Sequence, residues 1–84
     1  MPGQLADLRN LGPATVRMLE EIDVTTVDNL RELGAVEAYR RLKFRFGGHV
    51  TAVALYAMEA GLRGCHWLDL SPAERSALKK AARK

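Results

Sequence analysis

Apolar residues recur along this chain at helical spacing and nowhere alternate with polar ones, so the pattern predicts helices and no strands. Leu5 and Leu8 stand three apart and Leu11 follows at the same interval, predicting a short first helix whose apolar side Leu11 completes. Val16, Leu19 and Ile22 form the next stripe, over about Pro13 to Glu21, with Arg17, Glu20 and Glu21 off it. Thr25, with Asp28 three residues on, has the form of a capping box and predicts a third helix from about Thr26 to Leu33, stopped by Gly34. Its inward side is Val27, Leu30 and Leu33. A fourth helix, over about Val36 to Phe46, aligns Val36, Tyr39, Leu42 and Phe46, with Arg41 and Arg45 on the opposite side. Phe44 falls outside that stripe, and either closes against a neighbouring loop or stands open to a partner.

Gly47-Gly48 ends the fourth helix, and from Val50 to Met58 there is not one charge. A helix apolar on nearly every side is wrapped by others, so this segment, continuing to about Leu62, is predicted to be the central one, fraying at Gly61 and Gly64. Trp67 and the leucines of His66-Trp67-Leu68-Asp69-Leu70 are expected to plug the bottom of the core. Ser71-Pro72-Ala73-Glu74 combines a capping Ser, a proline at the first helical position and a glutamate at the third, predicting a last helix from Pro72 to about Ala82. Leu78 anchors it, and it ends in a basic tail. The expected fold is all-α, a bundle of about five to six short helices in a single domain, residues 1–84, with 1–4 and 83–84 loose. Leu30, Tyr39, Leu55 and Trp67 are the expected core.

The turn between the first two predicted helices has chemistry of its own. Asn10 tolerates the left-handed region, Gly12 is expected to take a positive φ, and Pro13 suits a first helical position. The run from Leu5 to Leu30, with its Asn-Leu-Gly-Pro hairpin and the later Val-Thr-Thr-Val-Asp-Asn-Leu, resembles a helix-hairpin-helix unit. Together with Leu-Gly-Ala-Val-Glu-Ala-Tyr-Arg-Arg-Leu at 33–42 and Gly-x-His-Trp-x-x-Leu at 64–70, it makes the chain similar to the C-terminal domain of the TfoX/Sxy family of bacterial competence regulators. That resemblance implies a positive regulator of DNA-uptake genes working with a cyclic-AMP receptor protein at promoters. The resemblance also implies, in the family's full form, an N-terminal domain of mixed α/β type, which this sequence is not expected to contain.

With 84 residues there is room for one core, and 48% hydrophobic against 27% charged residues is the balance of an ordinary globule. The net charge of +3 hides an asymmetry. Residues 1–39 carry three basic and seven acidic side chains, a net of −4, whereas residues 40–84 carry ten basic and three acidic, a net of +7. The positive field therefore lies away from the hairpin. The single Cys65 permits no internal disulfide, and neither a signal peptide nor a membrane-spanning apolar run is present, so a cytoplasmic location is expected.

Candidate chemistry is sparse. Cys65 and His66 are neighbours, but adjacent residues point in different directions, which disfavours a thiolate–imidazole pair. His49, Cys65 and His66 lack the short paired spacings of a zinc site, and no glycine-rich phosphate loop is present. No catalytic residue, metal, cofactor or small-molecule substrate is expected, and a binding module is favoured over an enzyme.

The helix-hairpin-helix resemblance implies contact to the backbone of double-stranded DNA through N–H groups around Asn10, Leu11, Gly12, Ala14 and Thr15, with Arg9 and Arg17 as charges. In this sequence Ala14 stands where such motifs often have Lys, and Asn10 replaces the hairpin's first glycine. The alternative is that the hairpin is a structural corner. By charge alone, Arg40, Arg41, Lys43 and Arg45 with the C-terminal tail form the better nucleic-acid face. A further alternative is a protein-interaction or homo-oligomer surface built on Phe44 and one side of the Val50–Met58 helix.

Overall fold

Capping chemistry decides where the helices of this chain begin and end. The structure, a computed structural model, describes residues 5, 8 and 10–83. Its helices are α1 (Pro13–Glu21), α2 (Val27–Leu33), α3 (Ala35–Phe46), α4 (Ala52–Arg63) and α5 (Pro72–Ala82), with 3-10 turns at Gly47–His49 and Trp67–Asp69. There is no strand among the described residues, and the fold is an all-α bundle. The helix expected at Leu5–Leu8 and the loose residues 1–4 fall wholly or partly outside the described residues, as do Arg9 and Lys84. What is described there is a tight path, with the Leu8 N–H donating to the Leu5 carbonyl at 3.0 Å and the Leu11 N–H to that of Leu8 at 3.4 Å. Arg83, expected to be loose, is the C-terminal cap of α5, its N–H on the Lys80 carbonyl.

The capping box of α5 forms as expected. Ser71 Oγ accepts from the Glu74 N–H at 3.1 Å and Glu74 Oε1 accepts from the Ser71 N–H at 2.9 Å. That of α2 is displaced by one residue. Thr26, not Thr25, is the N-cap and accepts from the Asn29 N–H at 3.1 Å, while Asn29 Oδ1 accepts from the Thr25 N–H and hydroxyl. Two adjacent threonines offer equivalent caps, and the amide of Asn29 reaching back to Thr25 selects the second.

Asp23, at φ 66°, closes α1 in the left-handed conformation, with its N–H on the Glu20 carbonyl and the Val24 N–H on that of Leu19. This is the double closure of a Schellman motif, and it carries Val24 into the core. α4 closes in the same way around Gly64. Gly61, expected at a frayed end, is instead buried inside α4. Between α2 and α3 a single residue, Gly34, serves as the cap of both helices. Its φ of 90° and ψ of 147° lie where only glycine is at ease.

The helix that packs against all the others is α3, which contacts α1, α2, α4 and α5; α4 touches α3, α5 and the Trp67–Asp69 turn. α4 is thus the most apolar helix but not the hub. The reason lies in side-chain size. The deepest stripe of α3 is Ala35, Ala38 and Leu42, all at most 2% exposed, and its alanines let neighbouring helices approach closely. Val36, Tyr39 and Phe46, expected on the inward line with Leu42, are half-buried flanks around this seam. Leu30 and Leu55 are fully buried with Leu5, Leu19, Leu42 and Met58. Trp67 is only half-buried, stacked on Tyr56 with ring centroids 6.2 Å apart; Leu70, 3% exposed, fills the position expected of it, and Leu68 points outward.

Candidate functional site

The hairpin is built inward. Asn10 has φ 76°, the positive angle expected of Gly12, while Gly12 itself sits at φ −86° and ψ 170°. The reason is visible in the Asn10 side chain. Its Nδ2 donates to the Cys65 carbonyl at 2.9 Å and its Oδ1 accepts from the Trp67 N–H at 3.3 Å, so the turn geometry serves to present that amide to the connector after α4. Leu11 is buried in the core. Ala14 and Arg17 are exposed and Thr15 half-buried at the start of α1, where no side chain caps the helix and the first turn holds no carboxylate. Asn10 and Leu11 are thus committed to packing, and Arg9 lies outside the described residues. Arg17 faces solvent beside Ala14, Met18, Glu21 and Phe46.

The basic face of α3 divides in two. Towards α1 lies an open groove of 660 Å³ lined by Glu21, Ile22, Glu37, Arg40, Arg41, Phe44 and Arg45. Its cations are paired: Arg40 and Arg41 both reach Glu37, at 3.8 and 3.1 Å, and Arg45 reaches Glu21 at 2.8 Å. Arg45 also lies 5.7 Å above the Phe46 ring. In their midst Phe44 is 95% exposed, which decides between the two positions open to it on sequence: it closes against nothing. Glu21 borders this groove and the one beside Arg17, so the α1 surface and the arginines of α3 are continuous.

Lys43 points the other way, towards α5. Its Nζ donates to the Val50 carbonyl at 2.6 Å. It shares a groove of 210 Å³ with Tyr39, Ala52, Lys79, Ala82 and Arg83. Lys79 and Arg83 therefore form the opposite wall of a groove to which α3 contributes. Two acidic residues, Glu21 and Glu37, were not singled out in the sequence, although the spacing of Glu37 from Arg41 is the favourable helical one.

The Cys65–His66 pair has structural duties. The Cys65 carbonyl holds Asn10, and His66 Nδ1 accepts from the Leu68 N–H at 3.1 Å, capping the Trp67–Asp69 turn. Among the described residues no three His, Cys, Asp or Glu side chains cluster as a metal site would require, and no polar side chain is buried. The outward side of α4 offers only Val53, 45% exposed, so the apolar surface expected there is small. No helix of the described residues is long and apolar enough to cross a membrane.

Comparison with known proteins agrees with this architecture. The TfoX C-terminal domain model matches residues 1–82. A DNA transformation protein of Aliivibrio fischeri, TfoX1, is 31% identical over 75 residues, covering 89% of this chain and 36% of that protein. The chain thus spans about a third of its relative's length. Among solved structures, an uncharacterized protein from Listeria monocytogenes in a triclinic crystal form superposes with a TM-score of 0.88 at 28% identity, over 96% of this chain and 91% of that one. A protein of unknown function from the same organism, in a tetragonal form, gives a TM-score of 0.86 at 29% identity, over 94% of this chain and 96% of the other. With the family model matching almost every residue, and the resemblance carried by the hairpin and the two later motifs now set on a bundle that solved structures share, this chain belongs to the TfoX C-terminal domain family.

Proposed function

We propose that this chain is a non-enzymatic binding module in the regulation of DNA-uptake genes, and that its α1–α3 face docks a transcription factor of the cyclic-AMP receptor type. The regulatory role follows the family and its relative named for DNA transformation. The docking role rests on one observation, the 95% exposure of Phe44 amid Arg40, Arg41 and Arg45. An aromatic held in water at the centre of an arginine-rich groove is the composition of an interface hot spot, not of an idle surface. Glu21 and Glu37 hold the guanidinium groups in place while leaving their remaining N–H groups to face a partner's carboxylates. The same pairing makes this face a poor collector of phosphates, because it leaves little uncompensated charge.

Titration calorimetry of the purified chain against a receptor of this type tests the reading. A complex that Phe44→Ser weakens on the order of thirtyfold, the loss of one hot spot, supports it. No complex, or one indifferent to Phe44→Ser, refutes it. Self-association abolished by the same substitution would instead make the face a homo-oligomer interface.

A further inference from the structure

Among the described residues the lysines and arginines without a carboxylate partner, apart from Arg17 on α1, gather at Lys43 and along α5. Every salt bridge among the described residues involves Arg31, Arg40, Arg41, Arg45 or Arg63. Arg75, Lys79, Lys80 and Arg83 of α5 have no such partner among the described residues, and Glu74, the sole carboxylate of α5, is held by Ser71 and Arg63. Arg75, Lys79 and Arg83 recur at intervals of four, a line of about 12 Å along the helix. Lys43 joins them from α3 across a groove that contains no acidic residue. Its bond to the Val50 carbonyl fixes the ammonium at the groove while using one of its three donors.

We infer that the groove formed by Lys43, Lys79 and Arg83 between α3, α4 and α5 binds the phosphodiester backbone of a nucleic-acid duplex. This adds a ligand and a second face to the regulatory reading above and does not depend on the Phe44 groove. Over the length of the cationic line a duplex presents about seven phosphates, several within reach of these three side chains and of Arg75 and Lys80. Competing anionic surfaces fit less well. A membrane-surface helix needs a broad apolar side, but the one large apolar residue of α5, Leu78, packs against the core. Single strands are held by exposed aromatic platforms, and the ring at this groove, Tyr39, is half-buried. The groove is lined by lysine and arginine cations and carries no asparagine or glutamine amide, so contact is predicted to be to the backbone and independent of sequence.

Fluorescence anisotropy with labelled DNA and RNA duplexes across a salt series tests the assignment on the full chain. Three phosphate contacts give a slope of about −2.7 in log affinity against log salt, a drop on the order of 40-fold between 50 and 200 mM. K79Q/R83Q should weaken binding at least about tenfold and reduce the slope by about two, whereas K79R/R83K should retain both. R40Q/R41Q removes the same charge from the other face and should leave the slope unchanged. Whichever duplex binds tighter identifies the source of the backbone. The inference is overturned by absent binding at 50 mM salt, or by an unaltered slope in K79Q/R83Q. An equal loss in R40Q/R41Q, tighter binding to single strands or phosphatidylserine vesicles, or full displacement by polyglutamate of matched charge would overturn it as well. Phe44→Ser should leave duplex binding intact, which separates failure here from failure of the docking reading.

Discussion

Replacing Asn10 tests how the hairpin is held to the rest of the bundle. The native residue makes two hydrogen bonds, to Cys65 at 2.9 Å and Trp67 at 3.3 Å, across 55 and 57 positions of sequence, and holds φ at 76°. Losing both bonds costs about 2 kcal/mol, at roughly 1 kcal/mol each. Forcing an alanine into the left-handed region costs about 1 kcal/mol more. Asn10→Ala should therefore lose about 3 kcal/mol and Asn10→Gly about 2, the difference reporting the backbone alone. Asn10→Asp keeps the acceptor for Trp67 but sets oxygen against the Cys65 carbonyl, so it should be no better than glycine. A chain of this size has on the order of 4–12 kcal/mol in total, so the alanine variant should fall by about 12–20 °C in melting temperature. Urea denaturation of the three variants with a common slope measures each loss. If alanine and glycine both lie within about 0.5 kcal/mol of the native chain, the clasp contributes nothing and the reasoning fails.

Gly12, at an extended φ with open space where a Cβ would lie, should accept alanine with a change within about 0.5 kcal/mol, and Gly12→Ser should gain about 0.3 kcal/mol as an N-cap; both are read by thermal melting. Asp23→Gly should stabilise the chain by about 0.5–1 kcal/mol, since it relieves a left-handed angle on a residue whose side chain makes no bond among the described residues; urea denaturation decides. Leu70→Ala should cost about 2–4 kcal/mol and Trp67→Ala less, about 1–2, a ranking that inverts if the indole is the true plug. The Glu74 carboxyl is held below its ordinary value, first by the Ser71 N–H and then by Arg63. A depressed value means its contribution is complete above the ordinary glutamate range and is lost as pH falls through the lowered one. Glu74→Gln should therefore flatten the acid limb of a stability-against-pH curve, and an unchanged limb would refute the assignment.

The periodicity of Val16–Leu19–Ile22 and the Ser71-Pro72-Ala73-Glu74 box place α1 and α5 to the residue, because those signals are local and unopposed. The cap of α2 was legible only to within one position, since Thr25 and Thr26 differ in nothing but the reach of Asn29. The inward line of α3 misleads for another reason. Hydrophobicity ranks Val36, Tyr39 and Phe46 above Ala35 and Ala38, but at the closest approach of helices the smallest side chain wins. Asn10 and Gly12 exchange their expected conformations through a bond to a carbonyl 55 residues away, and no local pattern encodes such a contact. The two faces of α3 illustrate the same limit. Arg40, Arg41, Lys43 and Arg45 look alike by charge; Glu37 lies at helical spacing from the first two, but only folding puts Glu21 beside Arg45 and more cations beside Lys43.

At Gly34 one residue ends α2 and begins α3, so the corner has no slack. Adding a residue there would swing α3 by about 100° about its own axis and carry its alanine seam out of register with everything docked on it. The α2–α3 joint should therefore be among the positions least tolerant of a change in chain length.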